Sequence, residues 1–314
     1  MTELSLENEI TIGFSILLLM FSFLIFSHVE GINSAAVVMG IIDSNINNLN
    51  RLKKVKFIDN NGQNIHLEKF DIEFNNVSFA YDSENVINNL SFKVLEGTTT
   101  ALVGYSGSGK STLCHLIARF YDAQEGDIII GGHKIKEFTC DSLLSQISMV
   151  FQNVYLFNDT IKNNIHFGNP LASEDQIVKV AKRAKCHEFI SKLPEGYDTV
   201  VGESGATLSG GEKQRISIAR ALLKDAPIIM LDEATASIDP ENEDYIQAAI
   251  NELTRNKTVV IIAHKLSTIQ NADQIIVLKE GRILERGKHK ELLKNDGLYK
   301  KFIDIKESSE NWCI

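Results

Sequence analysis

The nine residues GYSGSGKST, 104–112, constrain this chain more than any other stretch. They fit the pattern G-x-x-x-x-G-K-[ST], with Gly104, Gly109, Lys110 and Ser111 in the fixed places. Such a segment folds as a glycine-rich loop between a buried strand and the first turn of a helix, where backbone N–H groups and the helix dipole meet a phosphate. The flanks agree with this. TTTALV before the loop has the character of a short buried strand, and STLCHLIARF after it that of a helix. The expected core is therefore α/β, a mainly parallel sheet with its ligand edge at the carboxyl ends of the strands.

Three further stretches bring chemistry to that edge. In the loop, Lys110 is expected to reach the terminal phosphates and Ser111 to offer a hydroxyl to Mg²⁺. In APIIMLDEAT the apolar run Ile228 to Leu231 precedes Asp232 and Glu233. Asp232 suits Mg²⁺ through water, and Glu233 suits a base that orients or deprotonates an attacking water. Exposed turn carboxylates are the weaker alternative, because a metal nucleotide held by the loop needs such partners. A third apolar strand, TVVIIAH, ends in His264. Taken alone, His264, Gln152 in MVFQNVYLF and Tyr81 in SFAYDSENVINNLSF read as ordinary structural residues.

TLSGGEKQRISIARALL, 207–223, carries more. Ser209 followed three residues later by Glu212 is a capping-box pattern, and Gly210 and Gly211 leave backbone N–H groups uncovered at a helix start. A well-capped helix would need nothing else. Beside a phosphate loop, however, LSGG-x-x-QR resembles the signature of ATP-binding cassette (ABC) ATPases, with the motifs in that family's order from about Phe70 to Ile305.

The resemblance implies a head-to-tail pair of cassettes, homo- or heterodimeric, each sandwiching ATP between one phosphate loop and the other's signature. Tyr81 would stack on adenine. Gly104, Ser106, Gly107, Ser108, Gly109, Lys110, Ser111 and Thr112 would hold the phosphates and, through Ser111, the metal. Gln152 would contact Mg²⁺ and sense the membrane domain, and Ser209, Gly210 and Gly211 would touch the γ-phosphate of the partner's ATP. Asp232 would be metal ligand, Glu233 catalytic base, Asp239 part of the loop linking the two sites, and His264 a γ-phosphate contact. Glu212 stands where glutamine is commonest in the family, a change not expected to impair catalysis because the N–H donors precede it.

The front of the chain points to a membrane. Ile10 to Ser27 contains no charged residue, about 27 Å of helix. A secretory signal would begin with positive charge, whereas Glu3, Glu7 and Glu9 precede this run. Arg51, Lys53, Lys54 and Lys56 follow it and place the remainder of the chain in the cytosol. Apolar residues at 32, 36, 39, 42, 46 and 49 extend the helix beyond the bilayer. A partial transmembrane domain is thus expected over 1–58, a linker over 59–69, the ATPase domain over 70–306 and a tail over 307–314. The front resembles the last helix of an exporter-type half-transporter, which normally carries six spans. About five further spans and surrounding lipid are the implied partners, and a truncated or split half-transporter is the implied product. FQNVYLFNDTIKNN and CHEFI also look similar to a subgroup that includes metallophore importers built on exporter architecture.

Bulk properties are compatible with this. A net charge of −9 disfavours a general nucleic-acid binder. Cys114, Cys140, Cys186 and Cys313 lie far apart, without metal-ligand spacing, and read as reduced thiols. A soluble cassette ATPase would call for long coiled coils or two cassettes, and a non-hydrolysing remnant for loss of Glu233 or His264. Beyond the parallel core, an antiparallel β part is expected over 71–96, and a mostly helical insert between Gln152 and Ser209. In that insert Ile177, Val180, Ala184 and Ile190 fit one helical face or two short helices. A hairpin turning at Gly281 is expected near the end.

Overall fold

The computed structural model describes residues 12–54, 62–82, 84–202, 208–232, 240–263 and 266–310. The chain divides into two compact units, 1–57 and 58–314. The first is one helix, Ile12–Lys54, of 43 residues, or about 65 Å at 1.5 Å per residue. Its segment Ile12–Val29 is long and apolar enough to cross a membrane by length and composition, and none of it is buried. Phe23, 80% exposed, typifies a helix that displays apolar side chains along its length. Water does not favour such a surface.

The second unit holds two main sheets. β1 (Ile72–Ala80) and β2 (Asn85–Val94) pair antiparallel. The chain then enters the other sheet as β3 (Thr99–Gly104) and returns as β4 (Glu125–Ile130) and β5 (His133–Lys134), giving the order β2-β1-β4-β5. The antiparallel part expected over 71–96 therefore extends to residue 134. Register accounts for the addition: Ile128 and Ile130 lie opposite Phe74 and Ile72, so β4 completes the apolar face that β1 begins.

β6 (Ile147–Val150) lies in the second sheet, whereas β7 (Asp159–Thr160) and β8 (Val200–Val201) form a separate two-stranded ribbon. β9 (Ile228–Asp232), β10 (Thr258–Ile262), β11 (Gln274–Lys279) and β12 (Arg282–Gly287) complete the order β12-β11-β3-β10-β9-β6. All neighbouring pairs are parallel except β11 with β12. Both faces of this sheet are covered, which explains its unbroken apolar strands. Ala101, Val103, Ile229, Leu231, Val259 and Ile261 face one core, with the helical part of the unit. Leu102, Ile228, Met230, Val260 and Ile262 face the other, shared with the antiparallel sheet and the helix Lys110–Ile117.

The insert contains Ile161–His166, Glu174–Arg183 and His187–Lys192. Of the two alternatives read for Ile177 to Ile190, two short helices are found. The break is at Lys185, whose φ of 57° is left-handed, and all four expected apolar positions are buried. The β11/β12 hairpin turns through Glu280 and Gly281, φ 50° and 73°, between the paired Lys279 and Arg282. Two positive φ values in a two-residue loop match the twist of the strands.

The second half of the expected linker is bound to this unit. Gln63 N–H donates to the Glu137 carbonyl at 2.7 Å and its carbonyl accepts from Thr139 N–H at 2.9 Å. The Ser142 hydroxyl bridges both backbone groups of Ile65, and Leu67 is buried. Its polar sequence reflects backbone pairing rather than a free tether.

Candidate functional site

Strand register assembles the site. Ile262 of β10 is level with Leu102 of β3 on one side and Asp232 of β9 on the other. Val150 of β6 is level with Leu231. The carboxyl ends of β3, β10, β9 and β6 therefore lie along one edge in that order, and β3, β9 and β6 bring the phosphate loop, Asp232 and Gln152 to it. Four stretches separated by as much as 160 residues of chain are gathered by parallel pairing alone.

In the loop, Gly107 and Gly109 adopt φ of 76° and 99°, which residues with a Cβ rarely adopt. Gly109 begins the helix Lys110–Ile117 without a side-chain cap. Lys110 is only 7% exposed. Its ammonium donates to the carbonyls of Gly104 and Tyr105, both at 2.9 Å, so the loop closes round a buried positive charge. Tyr105, Ser106 and Gly107 stand exposed at the tip, as does Ser111 on the first helical turn. Ser108 and Thr112 are buried. The Ser108 hydroxyl has no hydrogen-bond partner, an orphaned buried polar atom within the loop. A glycine cradle, a central cation and an uncapped helix start together fit a polyphosphate.

Asp232 is half-buried at the end of β9, and Gln152 is exposed just past β6. With the Ser111 hydroxyl they make a set of oxygen donors that suits a hard cation such as Mg²⁺, which keeps water and phosphate among its ligands. Among the described residues no group of three or more His, Cys, Asp or Glu could form a different metal centre. The negative charge of Asp232 reaches Cys114, where burial first and that carboxylate second push the thiol well above its ordinary range. Glu233, Asp239 and His264 lie outside the described residues.

The stretch 208–224 forms a helix, Gly210–Lys224, with Ser209 as N-cap. The capping box read from sequence is present. Glu212 N–H donates to Ser209 Oγ at 3.3 Å, and Ser209 N–H donates to Glu212 Oε2 at 2.8 Å. The unusual Glu212 thus has a local task, and a carboxylate there also suits the positive end of the helix dipole. Ser209 and Gly210 are exposed, and space is open round the Gly210 Cα. Gly211 is buried, so it turns toward the fold rather than outward.

Tyr81 stands beside the loop. Its hydroxyl donates to Thr112 Oγ1 at 3.3 Å and lies 3.4 Å from His115 Nδ1. Sequence reasoning missed Phe79, His115 and Tyr121, which surround it. No motif signals them, because they meet only through the packing of β1 on the phosphate-loop helix.

Residues 87–236 match the family model described as ABC transporter. Those residues form an ABC transporter domain. It is 52% identical over 238 residues to an ATP-dependent lipid A-core flippase of Legionella pneumophila (strain Paris), covering 76% of this chain and 40% of that protein. The flippase of Haemophilus influenzae (strain 86-028NP) is 49% identical over 253 residues, covering 80% and 43%. A solved structure of a bacterial Atm1-family ABC exporter with ATP bound superposes with a TM-score of 0.79 at 42% identity, over 85% of this chain and 47% of that one. The chain spans about two fifths of the length of the curated relatives it matches. Its cassette is the nucleotide-binding domain, and the two sheets and helical insert are the expected parts of that fold.

Proposed function

We propose that this chain is the ATP-hydrolysing part of an exporter-type ABC transporter, with two cassettes closing head to tail on ATP. The observation that carries the reading is the split between two half-sites. The phosphate loop, Asp232 and Gln152 converge at one sheet edge, while Ser209 and Gly210 present a capped, exposed helix start of the kind that binds an anion. In this reading Lys110, held by two carbonyls in the loop, turns its positive charge on the terminal phosphates. Backbone N–H groups from Gly104 to Thr112 orient them, and Tyr81 stacks on the base. Ser111, Gln152 and Asp232 would hold Mg²⁺, which when bound would neutralise charge on the phosphate oxygens. Glu233 accepts a proton from the attacking water. His264 and the partner's Ser209-Gly210-Gly211 hold the γ-phosphate, and Asp239 couples the two sites.

The membrane helix and the relatives' names extend the proposal. The cassette works at the cytoplasmic face, joined to a cell-membrane domain to which 1–58 contributes one span among several. The flippase relatives favour a lipid-like cargo. The second copy is either another copy of this chain or a different cassette.

Specific ATPase activity measured against protein concentration tests the central claim. A shared site requires activity per molecule to rise with concentration and then level off. Constant specific activity from a monodisperse monomer would refute it.

A further inference from the structure

The aromatic group around Tyr81 holds a residue with no part in the chemistry above. Past the phosphate-loop helix, Arg119 adopts a left-handed φ of 54°. Its guanidinium is buried, donating to the carbonyls of Ile135 at 3.1 Å and Phe138 at 2.6 Å, while its Nε pairs with Asp122 at 3.1 Å. Phe120 N–H returns to the His115 carbonyl at 2.9 Å. A sharp turn is thereby locked from both ends, and it carries Tyr121 on to Tyr81.

The two rings meet at 87° with centroids 5.0 Å apart. Phe79, buried behind them, contacts Tyr81 at 4.9 Å and 86° and Tyr121 at 5.6 Å. Thr112 holds the Tyr81 hydroxyl at the other end. Tyr81 is thus restrained at its tip by the phosphate loop and in its ring plane by two aromatic neighbours, while 45% of it stays exposed. A surface prearranged in this way binds a planar group without first ordering a mobile ring.

We propose that Tyr121 is a positioning residue for nucleobase recognition, its ring fixing the plane of Tyr81 on which the base stacks. This rests on the assignment of Tyr81 to the base. Edge-to-face packing of this kind sets the scale, an affinity loss of about 2- to 10-fold when the Tyr121 ring is removed.

The test uses the full chain in detergent micelles, with EDTA present to prevent turnover, and calorimetric titration of two probes. ATP engages the base platform and the loop, whereas inorganic tripolyphosphate engages only the loop. Tyr121→Ala should weaken ATP by the stated factor and leave tripolyphosphate unchanged, and Tyr121→Phe should restore wild-type ATP affinity. Equal weakening of both probes, no weakening of either, or failure of Tyr121→Phe to restore binding would overturn the inference. Tyr81→Ala separates the two levels. If it too leaves ATP affinity intact, the base assignment falls along with the inference. If it weakens ATP while Tyr121→Ala does not, only the role of Tyr121 falls.

Discussion

Ser209 has two tasks that one pair of substitutions can separate. Within its own chain Ser209 Oγ accepts Glu212 N–H at 3.3 Å and caps the helix Gly210–Lys224. Across the proposed dimer the same hydroxyl meets the γ-phosphate. Ser209→Ala leaves a helix-start N–H without its acceptor, worth about 1 kcal/mol, or a fall of about 2–4 °C in Tm for a domain of this size. It also removes one hydrogen bond to a charged group, for a loss of about ten- to a hundredfold in hydrolysis. Ser209→Asp behaves oppositely on stability. Asp caps as well as Ser and its charge favours the helix start, so Tm should stay within about 1 °C of wild type. At the shared site, however, two like charges about 4 Å apart repel by about 4 kcal/mol at an effective dielectric constant near 20, about a thousandfold in rate. Calorimetric melting and ATPase assays on both variants give the comparison. If Ser209→Asp hydrolyses ATP at more than a tenth of the wild-type rate, the hydroxyl does not face a phosphate and the trans assignment fails.

Other expectations follow from the same geometry. Glu233→Gln should lower single-turnover hydrolysis by about 10² to 10⁴ while ATP affinity stays similar, whereas Lys110→Ala should weaken ATP binding as well, because its buried ammonium sits inside the loop. With ATP the Glu233→Gln protein should become dimeric by light scattering, and a monomer at saturating ATP would count against the shared site. Burial pushes the Cys186 thiol up to about 12 and Cys114 higher still, so at pH 8 both stay protonated and unreactive. Iodoacetamide followed by mass spectrometry should therefore modify the partly exposed Cys140 and spare Cys114 and Cys186.

Features written in local sequence were legible. The phosphate loop, the Ser209–Glu212 capping box and the Glu280-Gly281 turn each depend on residues within a few positions of one another, and each is found as expected. Strands β3, β9 and β10 were legible because burial on both faces makes them continuously apolar. What escaped depends on distant partners. A left-handed arginine at 119 has no sequence signature, since the conformation is held by carbonyls at 135 and 138. The role of β4 was hidden because only its register against β1 shows that its isoleucines complete a core. The break at Lys185 could not be placed, because lysine is not a residue that marks left-handed backbone. The polar run 62–69 read as a tether because its backbone partners lie about 75 residues away.

The β11/β12 turn bears on how the protein is made. Gly281 N–H donates to the Ser108 carbonyl at 3.3 Å, its own carbonyl accepts from Asn88 N–H at 3.0 Å, and a Cβ there would strike the Val86 carbonyl. β3, which launches the phosphate loop, is also flanked by β10 and β11. The loop therefore gains its walls only after Gly281 leaves the ribosome, 177 residues behind Gly104. At about 5–20 residues per second that is an interval of roughly 9–35 s, for most of which β3 has neither parallel neighbour. A nascent cassette is then an apolar strand edge in search of a partner, a substrate for chaperones and proteases before it is one for ATP.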